Sequence, residues 1–267
     1  MKARANTVAD MSTPRDRARA LYDALQSRVP IAPLSEGEPD LTAVDGYHTQ
    51  RELVQMLLED GENIVGWKLG LTSKPMQDML GISDPDYAPQ FGFQVIDDGS
   101  EIAVADFIQP KVEAEIALTL GESLKGPGVT MLDAAKAVDG AVAAIEVVDS
   151  RIRDWKIKLP DTIADLASAG ATILGSRIIP VDFDLRLTGM VMWRNGEIAD
   201  TGAGAAALGN PLATISWLAN TLAPFDVTLE AGMFVMTGSL HAAFDVKPGD
   251  VIRADFDRLG SVRATFA

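Results

Sequence analysis

The stretch QPKVEAEIAL, residues 109–118, alternates after Pro110: Val112, Ala114, Ile116 and Leu118 fall on one parity, Lys111, Glu113 and Glu115 on the other. A period of two is the signature of a β-strand with unlike faces. Both carboxylates then leave by one face with their Cα atoms roughly 6.6–6.8 Å apart. They repel by about 2 kcal/mol at an effective dielectric near 20. A wet strand face absorbs that, and the ordinary reading of such a pair is a solvent face. The other reading is a shared counter-charge.

A further carboxylate bears on the choice. In AVAAIEVVDS, residues 141–150, Glu146 is the one charge within an apolar run. A buried, unpaired carboxylate costs several kcal/mol, so Glu146 needs a partner. Arg151 or Lys111 supplies one in the simplest arrangement. A divalent cation shared with Glu113 and Glu115 supplies another, since three carboxylates with several waters suit Mg²⁺ or Mn²⁺. The residues alone leave the two open.

Composition narrows the function. The 267 residues suffice for one sizeable domain with a full core. A formal net charge of −15 argues against nucleic acid and anionic membrane as partners. An organic-acid substrate would need local positive charge, from a lysine or a metal ion. With no cysteine, disulfides, thiolate nucleophiles and cysteine–zinc sites are excluded together. With only His48 and His241, a multi-histidine metal centre or a serine triad is nearly out of reach. The first ten residues lack the apolar core of a signal peptide, and a cytoplasmic protein is expected. The uncharged run from Gly202 to Pro224 is long enough to span a bilayer, but Gly204, Gly209, Asn210, Pro211, Ser216 and Asn220 interrupt it. Asn210-Pro211 instead reads as the start of a buried helix.

Along the chain, residues 1–10 read as frayed. Helical spacing predicts helices from Pro14 to about Ser27 and from Asp45 to about Glu59, forming an N-terminal helical cap over residues 1–62. Short apolar runs follow, punctuated by Gly, Pro and Asp, and predict a mixed β-sheet domain over residues 63–267. Its candidate strands are 63–69, 93–95, 101–104, 112–120, 141–148, 171–174, 185–194, 233–237, 251–256 and 260–266. Its candidate helices are 132–138, 162–168 and 211–222.

Two further segments offer chemistry. Lys68 lies in GWKLGLTS, residues 66–73, an apolar strand with glycines that permit close approach. It either snorkels to solvent or points inward to hold an oxyanion. Thr237-Gly238-Ser239 reads as a plain turn or a carboxylate-gripping one, with His241 beyond it as a candidate base.

The chain resembles the 2-keto-4-pentenoate hydratase and 4-oxalocrotonate decarboxylase family of the fumarylacetoacetate hydrolase superfamily over about residues 15–267. The resemblance is carried by an ordered run: Lys68 in G-x-K-x-G-L-T, Met76-Gln77, Leu80-Gly81, Pro85-Asp86-Tyr87 and Gln109 to Ala117. It continues through Ile145 to Ile152, Asp154-Trp155, Asp161-Thr162, Ala164-Asp165, Gly202-Ala203-Gly204, Leu208-Gly209, Pro211 and Thr237-Gly238-Ser239. It implies an α+β fold with a mixed β-roll core and flanking helices. It also implies Glu113, Glu115 and Glu146 as ligands of Mg²⁺ or Mn²⁺, and Lys68 beside the 2-oxo acid. Asp86 takes the place of the acid typical of the hydratase branch, and Leu71, Thr72, Ser168, Thr237, Gly238 and Ser239 line the pocket. The implied activity is hydration of a 2-hydroxy-2,4-dienoate in aromatic catabolism, by a homo-oligomer of five or ten chains. Decarboxylation of a 2-oxo-enedioate, hydrolysis of an acylpyruvate and a non-catalytic partner subunit are the alternatives. Two positions depart from the family pattern: Ala88 replaces a usual glycine, and Leu166 a usual asparagine, removing a polar group near the pocket.

Overall fold

The computed structural model describes residues 13–74, 77 and 84–267. The frayed start read at residues 1–10 and the motif residues Met76, Leu80 and Gly81 lie outside them. Two sheets carry the chain. The larger runs β2 (Asp86–Phe91), β1 (Ile64–Gly70), β10 (Phe234–Met236), β5 (Lys111–Leu120), β6 (Val138–Val148), β7 (Ala169–Leu174) and β3 (Val95–Asp97), with β11 (Phe244–Asp245) also paired to β5. The smaller runs β4 (Glu101–Ile102), β13 (Gly260–Phe266), β12 (Val251–Phe256), β8 (Gly189–Arg194) and β9 (Glu197–Ala203). Pairing is mixed: β1 with β10, β3 with β7 and β4 with β13 are parallel, and the other ladders are antiparallel.

Period-two alternation sorts the two faces of the large sheet. Val112, Ala114, Ile116, Leu118, Ala143, Ile145 and Val147 enter the main core, which also takes Ile252, Ala254, Val262 and Phe266 from the smaller sheet. Ala117, Val142, Ala144, Phe234 and Met236 lie on the opposite face in a small apolar cluster of their own. Glu113, Glu115 and Glu146 share that face's parity, so the strands that build the core must turn their carboxylates away from it.

The N-terminal helices Pro14–Ser27 and Ala43–Glu59 begin at capping boxes, Thr13 with Asp16 and Thr42 with Asp45. The second therefore starts two residues before the expected Asp45. They pack, through Leu21, Leu53 and Leu57, onto Ala88, Phe91, Ile152 and Leu166 behind the sheet. Helix Pro211–Leu222 follows its Asn210 cap and lays Ile215, Leu218 and Leu222 on the main core.

Several expected boundaries change. The helix read over residues 162–168 runs instead from Leu159 to Ala164 and gives way to a left-handed turn at Leu166–Ser168. Residues 92–94 form a 3₁₀ turn, with the strand beginning at Val95. Residues 185–187 are likewise 3₁₀, ahead of β8. Strands β2 and β9 were not expected: both lie at sheet edges, where Pro89 in β2 and the polar run of β9 are tolerated.

Candidate active site

The register of β5 against β6 sets Glu113 directly opposite Glu146, with Glu115 one pleat along on the same side. One oxygen from each of the three lies within 4.8 Å of the others. Glu115 and Glu146 are fully buried, while Glu113 keeps partial exposure. Burial, and then the neighbouring Glu146, push Glu113 up to about 8. The same causes, joined by Glu113, raise Glu115 well above the ordinary carboxylate range. Gly238 N–H donates to Glu115 Oε2 at 2.8 Å. Gly238 sits at φ +104°, and a Cβ there would collide with Thr72, so the backbone reaches Glu115 only without a side chain.

Lys68 points inward. Its ammonium is buried, 2.8 Å from Glu146 Oε1 and donating to the Ala167 carbonyl at 2.7 Å. Burial works against its charge, but Glu146, Asp86 and Glu115 outweigh it, and its pKa lies above the ordinary lysine value. The counter-charge nearest Glu146 is therefore Lys68. The partners considered from sequence are engaged elsewhere, Lys111 with Asp245 and Arg151 with Asp165. Asp86 lies opposite Gly70 in the β1–β2 ladder, two residues from Ala88, which pairs with Lys68. A Cβ at Gly70 would occupy the space of Asp86 Oδ1. Burial, opposed by Lys68 and reinforced by Glu146, pushes Asp86 up to about 6. Tyr47 stacks on Tyr87 beside it at 4.7 Å.

The carbonyl that holds Lys68 belongs to an unusual turn. Leu166, Ala167 and Ser168 have φ of 53°, 49° and 56°, left-handed values that cost a non-glycine residue roughly 1–2 kcal/mol each. Arg151, 1 % exposed, stands beneath the turn. Its guanidinium donates to the carbonyls of Asp165 and Ala169, one on each side of the tripeptide, and to the Asp165 carboxylate.

The remaining expected residues divide. Thr72 is buried against Gly238, and Leu71 sits at φ 57° with its carbonyl accepting from Gln77. The Thr237 hydroxyl is spent on the Ile116 carbonyl, and Ser239 Oγ donates to the His241 carbonyl. Ser239 nonetheless lies beside Glu113 and opposes the rise in its pKa. Ser168 is buried in the left-handed turn, its hydroxyl 3.4 Å from that of Thr162. His241 is not placed as a base: Nε2 accepts from Ala114 N–H at 2.9 Å and Nδ1 meets the Ala242 carbonyl at 2.7 Å. It fills a gap in the hydrogen bonding of β5 between β10 and β11. Ala88 and Leu166 share one hydrophobic cluster with the N-terminal helices. The departure at Leu166 therefore changes packing behind the site.

Sequence reasoning missed the Ala167 carbonyl, which every residue possesses, and the Arg151–Asp165 pair. A charged residue beside the apolar run 141–148 was the available signal for the latter.

The site suits a divalent cation. Glu115 Oε1 and Glu146 Oε2 are buried without a hydrogen-bond partner, as is Asp86 Oδ1, and Glu146 Oε1 meets the Lys68 ammonium. Orphaned buried carboxylate oxygens are costly, and here four carboxylates face one ammonium. Hard oxygen donors at this spacing match the preference of such ions.

Residues 78–267 match the family model described as Fumarylacetoacetate (FAA) hydrolase C-terminal. A 2-keto-4-pentenoate hydratase of Paraburkholderia xenovorans (strain LB400) is 43% identical over 258 residues, covering 95% of this chain and 96% of the relative. A 2-hydroxyhexa-2,4-dienoate hydratase of Comamonas testosteroni is 38% identical over 253 residues, covering 94% and 96%. Among solved structures, the 4-oxalocrotonate decarboxylase from Pseudomonas putida G7, complexed with magnesium and adipate, superposes with a TM-score of 0.92. It is 36% identical, with 95% of this chain and 97% of that one covered.

Proposed function

The chain belongs to the fumarylacetoacetate hydrolase family, and on that footing we propose how its site works: Lys68 and Asp86 serve a hydratase that adds water to a 2-hydroxy-2,4-dienoate, giving a 4-hydroxy-2-oxo acid. Hydration is the activity for which these relatives are named, and the catabolism of aromatic compounds is the setting proposed for it. Glu113, Glu115 and Glu146 would hold the divalent ion, Mg²⁺ or Mn²⁺. A cation bound there supplies Lewis acidity toward the 2-oxo oxygen. Lys68 binds the substrate's carboxylate or enolate charge, its position held by Glu146 and Ala167. The 2-hydroxyl proton leaves and a proton reaches C5, giving an α,β-unsaturated ketone. Water then adds at C4 and C3 takes a proton. Asp86 carries a proton or orients the water in these steps.

The observation that carries hydration over decarboxylation is Asp86. Loss of CO₂ needs an electron sink but no activated water. Asp86 is a buried carboxylate poised near 6 with an unpartnered oxygen, suited to giving and taking a proton near neutrality. A homo-oligomer of five or ten chains and a cytoplasmic location complete the reading, the first checked by sedimentation. The deciding experiment follows 2-hydroxypenta-2,4-dienoate and 4-oxalocrotonate with Mg²⁺ by NMR. Conversion of the first to 4-hydroxy-2-oxopentanoate, all carbons retained, is expected. CO₂ release from the second, without hydration of the first, overturns the hydratase in favour of the decarboxylase.

A further inference from the structure

We infer that Arg151 is a positioning residue for Lys68, acting through the left-handed turn Leu166-Ala167-Ser168. The turn is three consecutive non-glycine residues at positive φ, a conformation that persists only where its surroundings over-determine it. Arg151 provides that determination from a single planar group. One arm, Nη1, donates to the Ala169 carbonyl at 2.6 Å and to the Asp149 carbonyl at 2.6 Å, and Nη2 donates to the Asp165 carbonyl. The guanidinium thus grips the residue immediately before the tripeptide and the one immediately after it. Nε is taken by the Asp165 carboxylate, which also accepts from Arg151 N–H and Ser150 Oγ at 2.9 Å each. Asp149 N–H closes the frame on the Ser168 carbonyl at 2.8 Å.

The middle carbonyl of the gripped tripeptide, Ala167, receives the hydrogen bond of Lys68 Nζ at 2.7 Å. A peptide plane flipped toward ordinary right-handed geometry turns that carbonyl away, and Lys68 then answers to Glu146 alone. Arg151 does not touch Lys68 or the three glutamates in any contact described, so its influence runs through the turn. Lysine cannot replace it, because an ammonium is a point donor and lacks the fork that spans two separated carbonyls.

The inference rests on the proposed role of Lys68, and its test has one arm independent of catalysis. In the first arm, crystal structures of Arg151→Met and Arg151→Lys are solved. The hydrogen bond from Lys68 to Ala167 is lost in the first and loosened in the second, with φ of residues 166–168 moving toward negative values. In the second arm, both variants are assayed on 2-hydroxypenta-2,4-dienoate beside the wild type. Arg151→Met lowers kcat by about tenfold or more, the scale expected when a reacting group is misplaced, while KM and Mg²⁺ affinity by calorimetry stay within about threefold. Ala167→Gly added to Arg151→Met recovers part of kcat, because glycine takes the left-handed conformation without strain. Should Arg151→Met not fold, Arg151→Lys is read by the same criteria. An unchanged Lys68–Ala167 hydrogen bond overturns the inference. So does a kcat within twofold of wild type, or a loss that glycine does not relieve and that Mg²⁺ affinity shares. A wild type inactive on the dienoate refutes the hydratase reading instead, and the crystallographic arm still decides the clamp.

Discussion

Lys68 Nζ and Glu146 Oε1 stand 2.8 Å apart with both side chains almost wholly out of solvent. The pair joins β1 to β6 across two intervening strands, and it brings the only ammonium among the described residues of the site against its carboxylates. In a buried pair, removing one partner leaves an uncompensated charge. A divalent cation would take up much of that charge.

Lys68→Met should therefore separate binding from chemistry. With Mg²⁺ present the variant folds and binds the ion at least as tightly as the wild type, having lost a competing cation. Its kcat falls by roughly 100- to 1000-fold, the scale for removing a group that stabilises developing negative charge. Calorimetry and steady-state kinetics read the two quantities; a kcat within tenfold of wild type would remove Lys68 from the mechanism.

Glu113→Gln and Glu115→Gln should weaken Mg²⁺ binding by about 100-fold or more, beyond the 10- to 100-fold typical of losing a supporting group outside the ligand set. Without metal, each variant should melt higher than the wild type, because a like charge leaves a site where Glu146 raises the pKa of both Glu113 and Glu115 and Glu113 adds to the rise at Glu115. Titration and scanning calorimetry with and without EDTA check both. Unchanged affinity in both variants would return the pair to an ordinary strand face.

On the proposed mechanism, Asp86 should set the acid limb of activity. If it works as a carboxylate, kcat/KM should fall as pH drops through about 6, and Asp86→Asn should abolish both the limb and most of the activity. The stability effect has the opposite sign. Its pKa is higher in the fold than its ordinary 3.8, so protonated Asp86 stabilises the fold fully below about pH 4. That contribution is lost as pH rises through about 6. At pH 7.5 Asp86→Asn should gain stability, by up to about 3 kcal/mol if the whole shift is recovered. Thermal melts at pH 5 and 7.5 give the comparison, and equal changes at both would be the contrary result.

His241 should prove structural. Its Nε2 accepts the Ala114 N–H on β5, so His241→Phe leaves a strand donor unsatisfied and costs about 1–3 kcal/mol. The shape of the pH–rate profile should stay unchanged. A missing limb in that profile would restore His241 as a base.

Legibility followed the range of the forces involved. Alternation in QPKVEAEIAL fixed a strand with its carboxylates on one face, because the period of a strand is local and needs no partner. The start of helix Pro211–Leu222 was equally legible, since an Asn cap and a proline act within one turn. Strand β2 was not, because Pro89 reads as a breaker unless its strand is known to lie at an edge. The stretch 162–168 read as helix because its propensities are helical, and a buried arginine from residue 151 overrides them in its second half.

By itself, then, the amino-acid sequence determined which groups were available: three glutamates in two strand-forming runs, a lysine among glycines, an acid after a proline, and no thiol. Their convergence was decided only by the tertiary structure. The antiparallel register of β5 and β6 set Glu113 against Glu146, and the antiparallel entry of β10 beside β5 brought Gly238 to Glu115. A turn held from outside aimed a carbonyl at Lys68. Register and clamp arise from contacts between residues far apart in the chain, where neither period nor propensity carries information.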